Sequence, residues 1–300
     1  MKLDGLHLLL TYQCTFECDH CFVFGSPWQT GTMTLDVVRK VLNRAKAAKT
    51  VEWIFFEGGE PFLYYQTMLA GINLAFESGF KVGIVTNSYW ATSEEDALLW
   101  LKPLVGKIQN LTISSDLFHY TEKESRQSKI VTHLAEQLDI PVGVICIEQP
   151  ENFGISTIGQ IPPASASIMY RGRAAVKLAP QVTLYPASLF TTCPHENLED
   201  PGRVHVDPFG NLHICQGIII GNILNTSLEE ICDRLSPRQH PILGPLLEGG
   251  PLRLANEYSL PRLDHYADAC HLCYESRKQL RTRFPEILAP DQMYCVPGAG

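Results

Sequence analysis

The chain has 300 residues, of which 45% are hydrophobic and 19% charged, and its formal net charge is −8. This composition is typical of a globular protein with a sizeable core, built as one large domain or two modest ones. The acidic balance argues against a nucleic-acid partner, because phosphate binding needs concentrated Lys and Arg. Neither a signal-peptide run nor a membrane-length apolar segment is expected, so we predict a cytoplasmic protein without a membrane partner. In that compartment its ten cysteines are reduced, and clustered ones indicate metal binding.

Short apolar strands alternate with amphipathic segments along the first 170 residues. A helix is predicted after Thr34 and another over 65–78, from apolar residues at a period of 3.6. Capping patterns at Ser93 and Thr121 indicate two further helix starts. Strands are predicted near 6–11, 51–56, 80–86, 108–114, 141–147 and 166–170. This alternation predicts βα units around a parallel sheet, followed by loops at 149–165 and 237–261.

Three cysteines, Cys14, Cys18 and Cys21, follow the first predicted strand with the spacing C-x3-C-x2-C. Thiolates are the usual ligands of iron–sulfur clusters, and four of them fully ligate a cubane, so a group of three leaves one iron open. The same spacing also suits a tetrahedral zinc ion, with His20 as the fourth ligand. The two kinds of metal site are therefore alternatives at this point.

A glycine-rich motif, Glu57-Gly58-Gly59-Glu60, follows the second predicted strand. Glycines allow the backbone to approach a ligand closely, and a carboxylate suits an ammonium group. A structural zinc site would not need such a pocket. The motif therefore argues against a non-catalytic metal-binding protein.

The two motifs together resemble those of the radical S-adenosylmethionine (radical SAM) enzymes. The resemblance implies a partial barrel of six βα units and a 4Fe-4S cluster whose open iron binds the methionine part of S-adenosylmethionine. It also implies reductive cleavage of this cofactor to a 5′-deoxyadenosyl radical, which abstracts hydrogen from the substrate. An external donor such as flavodoxin or ferredoxin would supply the electron. Residues 57–60 would hold the cofactor's amino group.

Polar residues after the predicted strands are further candidates, because ligands of parallel βα folds gather beyond the carboxyl ends of the strands. Ser115 and Asp116 could bond the cofactor's ribose hydroxyls, and Asn87 a polar edge nearby. One of two arginines after the sixth predicted strand, Arg171 or Arg173, could bind a carboxylate of the cofactor or the substrate. Asp116 and His119 are candidate catalytic groups on the substrate side. The alternative is turn chemistry, since Ser, Asn and Asp also end strands.

A second set of cysteines lies in the last third of the chain. The run 203–215 alternates around a Pro-Phe-Gly-Asn turn and predicts a hairpin that ends at Cys215. The order of these cysteines resembles the twitch or SPASM extension, although the longer SPASM series is absent. The resemblance implies one auxiliary 4Fe-4S cluster, with Cys295 in reserve and the chosen ligands Cys193, Cys215, Cys270 and Cys273. Zinc on the same four thiolates is the alternative, and Cys146 and Cys232 are predicted core residues.

Two domains are predicted: a radical SAM partial barrel over 1–185, and a smaller β-hairpin and helix domain with the auxiliary cluster over 186–300. Enzymes with this extension mostly modify peptides, proteins or small metabolites. A peptide or protein substrate is the first expectation, and a small metabolite is the alternative. Because the first strand begins within ten residues, no fused leader-peptide module is expected before the barrel.

Overall fold

The structure, a computed structural model, describes residues 1–122, 124–150 and 167–295. In these ranges the strands are β1 (Leu3–Thr11), β2 (Trp53–Gly58), β3 (Lys81–Thr86), β4 (Asn110–Ser114), β5 (Val142–Ile145), β6 (Tyr185–Pro186), β7 (Gly202–Val206), β8 (Asn211–Cys215), β9 (Ile218–Asn222) and β10 (His265–Tyr266). The α-helices are α1 (Leu35–Ala48), α2 (Tyr65–Glu77), α3 (Glu94–Leu101), α4 (Arg126–Gln137), α5 (Arg173–Lys177), α6 (Leu228–Arg234), α7 (Leu243–Glu257) and α8 (Ala269–Leu280).

One mixed sheet joins eight of these strands in the order β5-β4-β3-β2-β1-β7-β8-β9. Neighbours from β5 to β7 pair in parallel, whereas β8 and β9 pair antiparallel at one edge. Strands β6 and β10 form a separate pair. The predicted α/β fold with a largely parallel sheet is confirmed, and the first five predicted strands all form.

The sixth predicted strand, 166–170, is wrong over its described part, because residues 167–170 are not in a strand. The amide of Tyr170 donates to the Asp268 carboxylate at 3.1 Å, and the amide of Arg171 donates to the Met169 carbonyl at 2.7 Å. These amides therefore donate to groups outside any sheet. The parallel neighbour on the free side of β1 is β7 instead.

The predicted hairpin is confirmed as β7 and β8, which pair around the turn at 207–210. Strand β7 pairs with β1 from Leu3↔Gly202 to Leu8↔Val206, so the hairpin continues the central sheet. The division of the chain at 185 and 186 stays a prediction.

Alternation along β1 separates two cores, as expected for a strand covered on both faces. Leu6 and Leu8 belong to the larger core, which also takes the apolar faces of α1 to α4. Leu9 belongs to a second core, formed with residues of α7 and α8 such as Leu246 and Tyr274. Fully burying one such leucine contributes about 1.5–3 kcal/mol, so both faces of β1 are strongly fixed.

Side-chain caps define several of the helix starts, three of them in the first half of the chain. The Thr34 hydroxyl accepts from the Val37 amide at 3.3 Å, and Ser93 accepts from Asp96 at 3.1 Å, as predicted. The start predicted at Thr121 is wrong, because α4 begins after Ser125, whose hydroxyl accepts from the Ser128 amide at 3.0 Å.

The loop predicted at 237–261 is also wrong, since it contains α7, which is broken at Gly249 and Gly250. The loop predicted at 149–165 lies mostly outside the described residues. Cys146 follows β5 rather than lying inside it, and Cys232 is half-buried against the larger core. Across the described ranges, every helix is too short or too polar to cross a bilayer.

Candidate functional site

The first cysteine set lies on the loop that leaves β1. Cys14 and Cys18 are buried, and Cys21 is half-buried. Backbone amides point at two of the sulfurs: Gly25 N donates to Cys21 Sγ at 3.2 Å, and Phe16 N donates to Cys14 Sγ at 3.5 Å. Burial raises the pKa of Cys14 to about 12 and raises the pKa of Cys18 as well. A bound cation would therefore be needed to hold both as thiolates.

The distances between the three cysteine sulfurs bear on whether this set could bind a zinc ion or an iron–sulfur cluster. A tetrahedral zinc ion with Zn–S bonds of about 2.3 Å holds its sulfurs about 3.8 Å apart. Within the described ranges, three groups of metal-ligating side chains have donor atoms within 4.8 Å of one another, and the cysteine triad is not one of them. A single zinc ion on this triad would therefore require the sulfurs to move closer together.

Arg173 holds the cysteine loop from inside. Its guanidinium donates to the Cys18 carbonyl at 2.7 Å and to the Gly25 carbonyl at 2.8 Å, and its amide donates to the Cys21 carbonyl at 3.0 Å. The preceding Gly172 has φ +60°, and a Cβ there would lie 2.7 Å from Phe22 Cα. The sequence placed Arg173 near the site only as one of two arginines able to clamp a carboxylate, so this role was missed.

Gly58 and Gly59 pack against the backbone that enters the cysteine loop. Gly59 N donates to the Thr11 carbonyl at 2.7 Å, and the next amide donates to the Gln13 carbonyl at 2.9 Å. A Cβ on Gly58 would lie 2.4 Å from Thr11 O, and one on Gly59 would lie 2.1 Å from Gln13 O. Only glycine fits either position, which joins the two sequence motifs physically.

Glu60 is fully buried and links the ends of β2 and β3. Its carboxylate accepts from Phe62 N at 3.0 Å, Thr86 Oγ1 at 2.9 Å and Asn87 N at 2.8 Å. Burial raises the pKa of Glu60 to about 7, although these bonds act in the opposite direction. Because a carboxylate has about four acceptor positions, little of it is free for the expected ammonium group. Its contact with a cofactor stays a prediction, and its observed role is to position Asn87.

Asn87 faces the cysteine loop, as its place after β3 suggests. Its side-chain amide lies 3.6 Å from Cys14 Sγ and 3.1 Å from Thr15 Oγ1, within hydrogen-bonding reach of both. Ser115 is buried and its hydroxyl accepts from the Ser125 amide at 3.0 Å, next to the start of α4. This bond fits the alternative that Ser115 stabilises a turn, and its contact with the ribose of the cofactor stays a prediction.

Asp116 and His119 lie together, against the side of the cysteine loop. His119 Nδ1 is 2.8 Å from Asp116 Oδ1, whose carboxyl group also accepts from the amides of Phe118 and Ile147. Burial raises the pKa of Asp116, but its interactions with His119, His20 and the Ile147 amide together outweigh this effect, so the pKa lies below its usual value. The ring of His20 is 5.5 Å from that of His119, and burial lowers the pKa of His20 to about 4. Among the described residues, the donor atoms of His20, Asp116 and His119 lie within 4.8 Å of one another, and no cysteine belongs to this group.

Glu57 points away from the motif that it begins. Its Oε1 lies 3.1 Å from His7 Nδ1 and 3.0 Å from His205 Nε2, on strands β1 and β7. The expectation that it joins Glu60 around an amino group is therefore not supported, because alternate residues of β2 face opposite sides of the sheet.

The second cysteine set meets around one small cavity. Its lining includes the four cysteines chosen from the sequence: Cys193, Cys215, Cys270 and Cys273. Cys270 and Cys273 lie in the first turns of α8, and Cys215 ends β8. Cys295 is exposed and does not line this cavity. Burial raises the pKa of Cys193 to about 12 and raises those of Cys270 and Cys273.

Two buried arginines line the same cavity. Arg171 Nη1 lies 3.3 Å from both Cys215 Sγ and Glu196 Oε1, beside the second cysteine set. Its expected contact with a carboxylate of the cofactor or substrate stays a prediction. Arg277 is 1% exposed and donates to the Gln216 carbonyl and to Tyr294 Oη. No carboxylate of the described chain lies within ion-pair distance of Arg277.

A buried guanidinium without an acidic partner is costly. The Nε atoms of both arginines are also buried without a hydrogen-bond partner. Four thiolates around a metal group carry net negative charge and would compensate both cations. The side chains present therefore fit an anionic, cysteine-ligated group.

Residues 8–122 match the family model of the Radical SAM superfamily, and this segment carries both the first cysteine set and the glycine-rich motif. This segment of the chain is therefore similar to radical SAM enzymes. The chain is 26% identical over 137 residues to the peptide biosynthesis protein YydG of Bacillus subtilis (strain 168), covering 45% of this chain and 43% of that one. It is 30% identical over 111 residues to an S-adenosylmethionine-dependent nucleotide dehydratase of Selenomonas ruminantium, covering 37% and 38%.

The matches therefore span about two fifths of the length of these curated relatives. Among solved structures, BtrN in complex with AdoMet and 2-DOIA superposes with a TM-score of 0.52 at 15% identity, over 77% of this chain and 82% of that one. At this identity the likeness concerns the fold.

Proposed function

We propose that this enzyme binds a 4Fe-4S cluster through Cys14, Cys18 and Cys21 and uses it to cleave S-adenosylmethionine reductively. The observation that carries the proposal is the backbone contact between Gly59 and the start of the cysteine loop, which brings both motifs to one sheet edge. When bound, such a cluster supplies an electron and an open iron, and cleavage yields a 5′-deoxyadenosyl radical that abstracts hydrogen from a substrate. An external donor such as flavodoxin or ferredoxin reduces the cluster.

This chain's own residues position and shield that site. Arg173 fixes the loop through the Cys18 and Gly25 carbonyls, and Asn87 holds Cys14 and Thr15 together. Backbone groups of residues 58–60, together with the remaining acceptor position of Glu60, receive the amino group of the cofactor. Asp116 and His119 lie beside the loop and act on the substrate side.

The second cysteine set holds an auxiliary 4Fe-4S cluster of the twitch type, in a C-terminal domain that follows a partial barrel. The support is the cavity shared by four cysteines and two buried arginines. Zinc on the same thiolates is the competing occupant, since it would compensate the arginines equally well.

A peptide or protein is the substrate that we favour, in a cytoplasmic setting. The support is the similarity to YydG, whose name describes peptide biosynthesis. The similarity to a nucleotide dehydratase keeps a small metabolite as the second candidate.

Anaerobic reconstitution with iron and sulfide, reduction and addition of S-adenosylmethionine should yield 5′-deoxyadenosine, measured by liquid chromatography. Cys14→Ala should abolish this product, whereas Cys232→Ala, a matched cysteine outside both sets, should retain it. Product from the Cys14 variant would contradict the assignment. Candidate peptides and nucleotides are then compared for their ability to accelerate product formation above the rate without substrate.

A further inference from the structure

A His-Glu-His cluster lies on three neighbouring parallel strands, on the face of the sheet opposite the larger core. His7 is on β1, Glu57 on β2 and His205 on β7, and the strand register pairs His7 directly with His205. The three side chains are only 14–16% exposed. Residues on paired strands are held more rigidly than loop residues, so this geometry is built into the sheet.

The distances within the cluster match those of a metal-ligand set. Glu57 Oε1 lies 3.1 Å from His7 Nδ1 and 3.0 Å from His205 Nε2, and the three donor atoms all lie within 4.8 Å of one another. Ligands about 2.1 Å from one octahedral ion are about 3.0 Å apart when adjacent. Two histidines and one carboxylate are a common ligand set for divalent transition metals.

The surroundings of the cluster connect it to the cysteine loop. The ring of His205 is 5.4 Å from that of Phe22, the residue after Cys21, and the ring of His7 stacks on Phe55 at 4.5 Å. Aromatic rings that cover the sides of the ligands reduce their contact with water. The cluster is nevertheless separate from both cysteine sets, because no described cysteine sulfur belongs to the group of donor atoms that lie within 4.8 Å of one another.

We propose that His7, Glu57 and His205 bind one divalent transition-metal ion. Three protein ligands leave positions open in a four- to six-coordinate shell, and these can take an oxygen or nitrogen atom of a substrate. The site does not depend on the identity of the substrate or on the cofactor chemistry of the first cysteine set.

The test uses the anaerobically reconstituted full-length enzyme, so that iron occupies the cysteines. After equilibration with Zn²⁺ and removal of free metal, zinc and iron are counted by mass spectrometry. The wild type should hold about one zinc per chain in addition to its iron. Glu57→Gln, His7→Gln and His205→Gln should each weaken zinc binding roughly tenfold or more, with unchanged iron content. The control His133→Gln, on the exposed face of α4, should bind zinc like the wild type.

X-ray absorption at the zinc edge identifies the ligands. A shell of nitrogen and oxygen alone supports the proposal, and a shell containing sulfur overturns it, because the zinc would then occupy cysteines. Equal zinc in the wild type and the three variants also overturns it and shows that the cluster is only a hydrogen-bonded network. Circular dichroism checks that each variant is folded. If the enzyme cleaves the cofactor normally but binds no zinc, the metal site is rejected and the proposed function is kept.

Discussion

Arg171 and Arg173 are two residues apart in the chain, and each serves a different cysteine set. Arg171 Nη1 lies 3.3 Å from Cys215 Sγ, whereas Arg173 Nη1 lies 2.7 Å from the Cys18 carbonyl. Gly172 separates them at φ +60°, where a side chain would meet the backbone of Phe22. One short segment therefore connects the surroundings of both sites.

Substitution of these two arginines should affect the two sites separately. Arg173→Gln removes hydrogen bonds to two loop carbonyls, each worth about 1.5–3 kcal/mol because the donor is charged. We expect it to lower iron at the first site and the yield of 5′-deoxyadenosine. Arg171→Gln should retain the iron of the first site and change the electron paramagnetic resonance spectrum of the second. The same loss at both sites in each variant would show that the segment acts only as a structural unit.

Removal of one cysteine should distinguish the auxiliary ligands. Cys273→Ala takes away a sulfur that lines the second cavity, so it should lower bound iron by about four atoms per chain and spare the first site. Cys295→Ala should keep all the iron, because this exposed cysteine lies outside the cavity. Iron and sulfide are quantified after anaerobic reconstitution. Zinc in place of iron in the wild type would establish the alternative metal.

Gly59 should be intolerant of a side chain. In Gly59→Ala the added Cβ would lie 2.1 Å from the Gln13 carbonyl oxygen, so the backbone must shift. We expect a loss of several kcal/mol in the free energy of unfolding, or failure to fold, together with loss of cofactor binding. Gly143→Ala is the matched control, because its Cβ would have no atom within 4 Å. Thermal melting compares them, and equal melting temperatures would contradict the role of close packing.

His240 should make stability dependent on pH. Its Nδ1 accepts from the amides of Ile242 and Leu243 at 3.2 and 3.1 Å, which requires a neutral ring, and burial lowers its pKa to about 4. Because the unfolded chain has a higher histidine pKa of about 6.5, this contribution is complete above pH 6.5 and is lost as the pH falls towards 4. It amounts to roughly 3 kcal/mol at most.

Urea unfolding at several pH values tests this assignment. The difference between the wild type and His240→Gln should change between pH 4 and 6.5 and stay constant above it. Comparison of the two proteins cancels the pH dependence of the cysteine sites, which both share. A difference that does not vary with pH would show that the pKa of His240 is the same in the folded and the unfolded chain.

The first half of the fold could be predicted from the sequence because its signals are local. Apolar runs such as 81–86 and the cap at Ser93 specify their elements without distant partners. The pairing of β7 with β1 could not be predicted in this way, because it joins Leu3 to Gly202 across most of the chain. The cap at Ser125 was missed because Thr121, four residues earlier, offers the same chemistry.

Within the site, the cysteines were the most predictable residues, because their spacing is specific. Glu60 and Ser115 were harder to interpret, since residue type does not reveal whether a polar atom is already bonded inside the protein. Both are fully buried, and both hold neighbouring backbone in place. The burial of Arg277, which is 1% exposed, could not be predicted from the sequence, because the cavity that it lines forms from segments far apart in the chain.

The pairing of β1 with β7 has a mechanical consequence. Cys14 lies three residues beyond the end of one of these strands, and Cys215 ends the strand that pairs with the other. A hinge opening between the two cysteine sets would have to rupture this ladder, so the sheet fixes the distance between them. If both sets bind clusters as proposed, the distance for electron transfer between the clusters would stay constant.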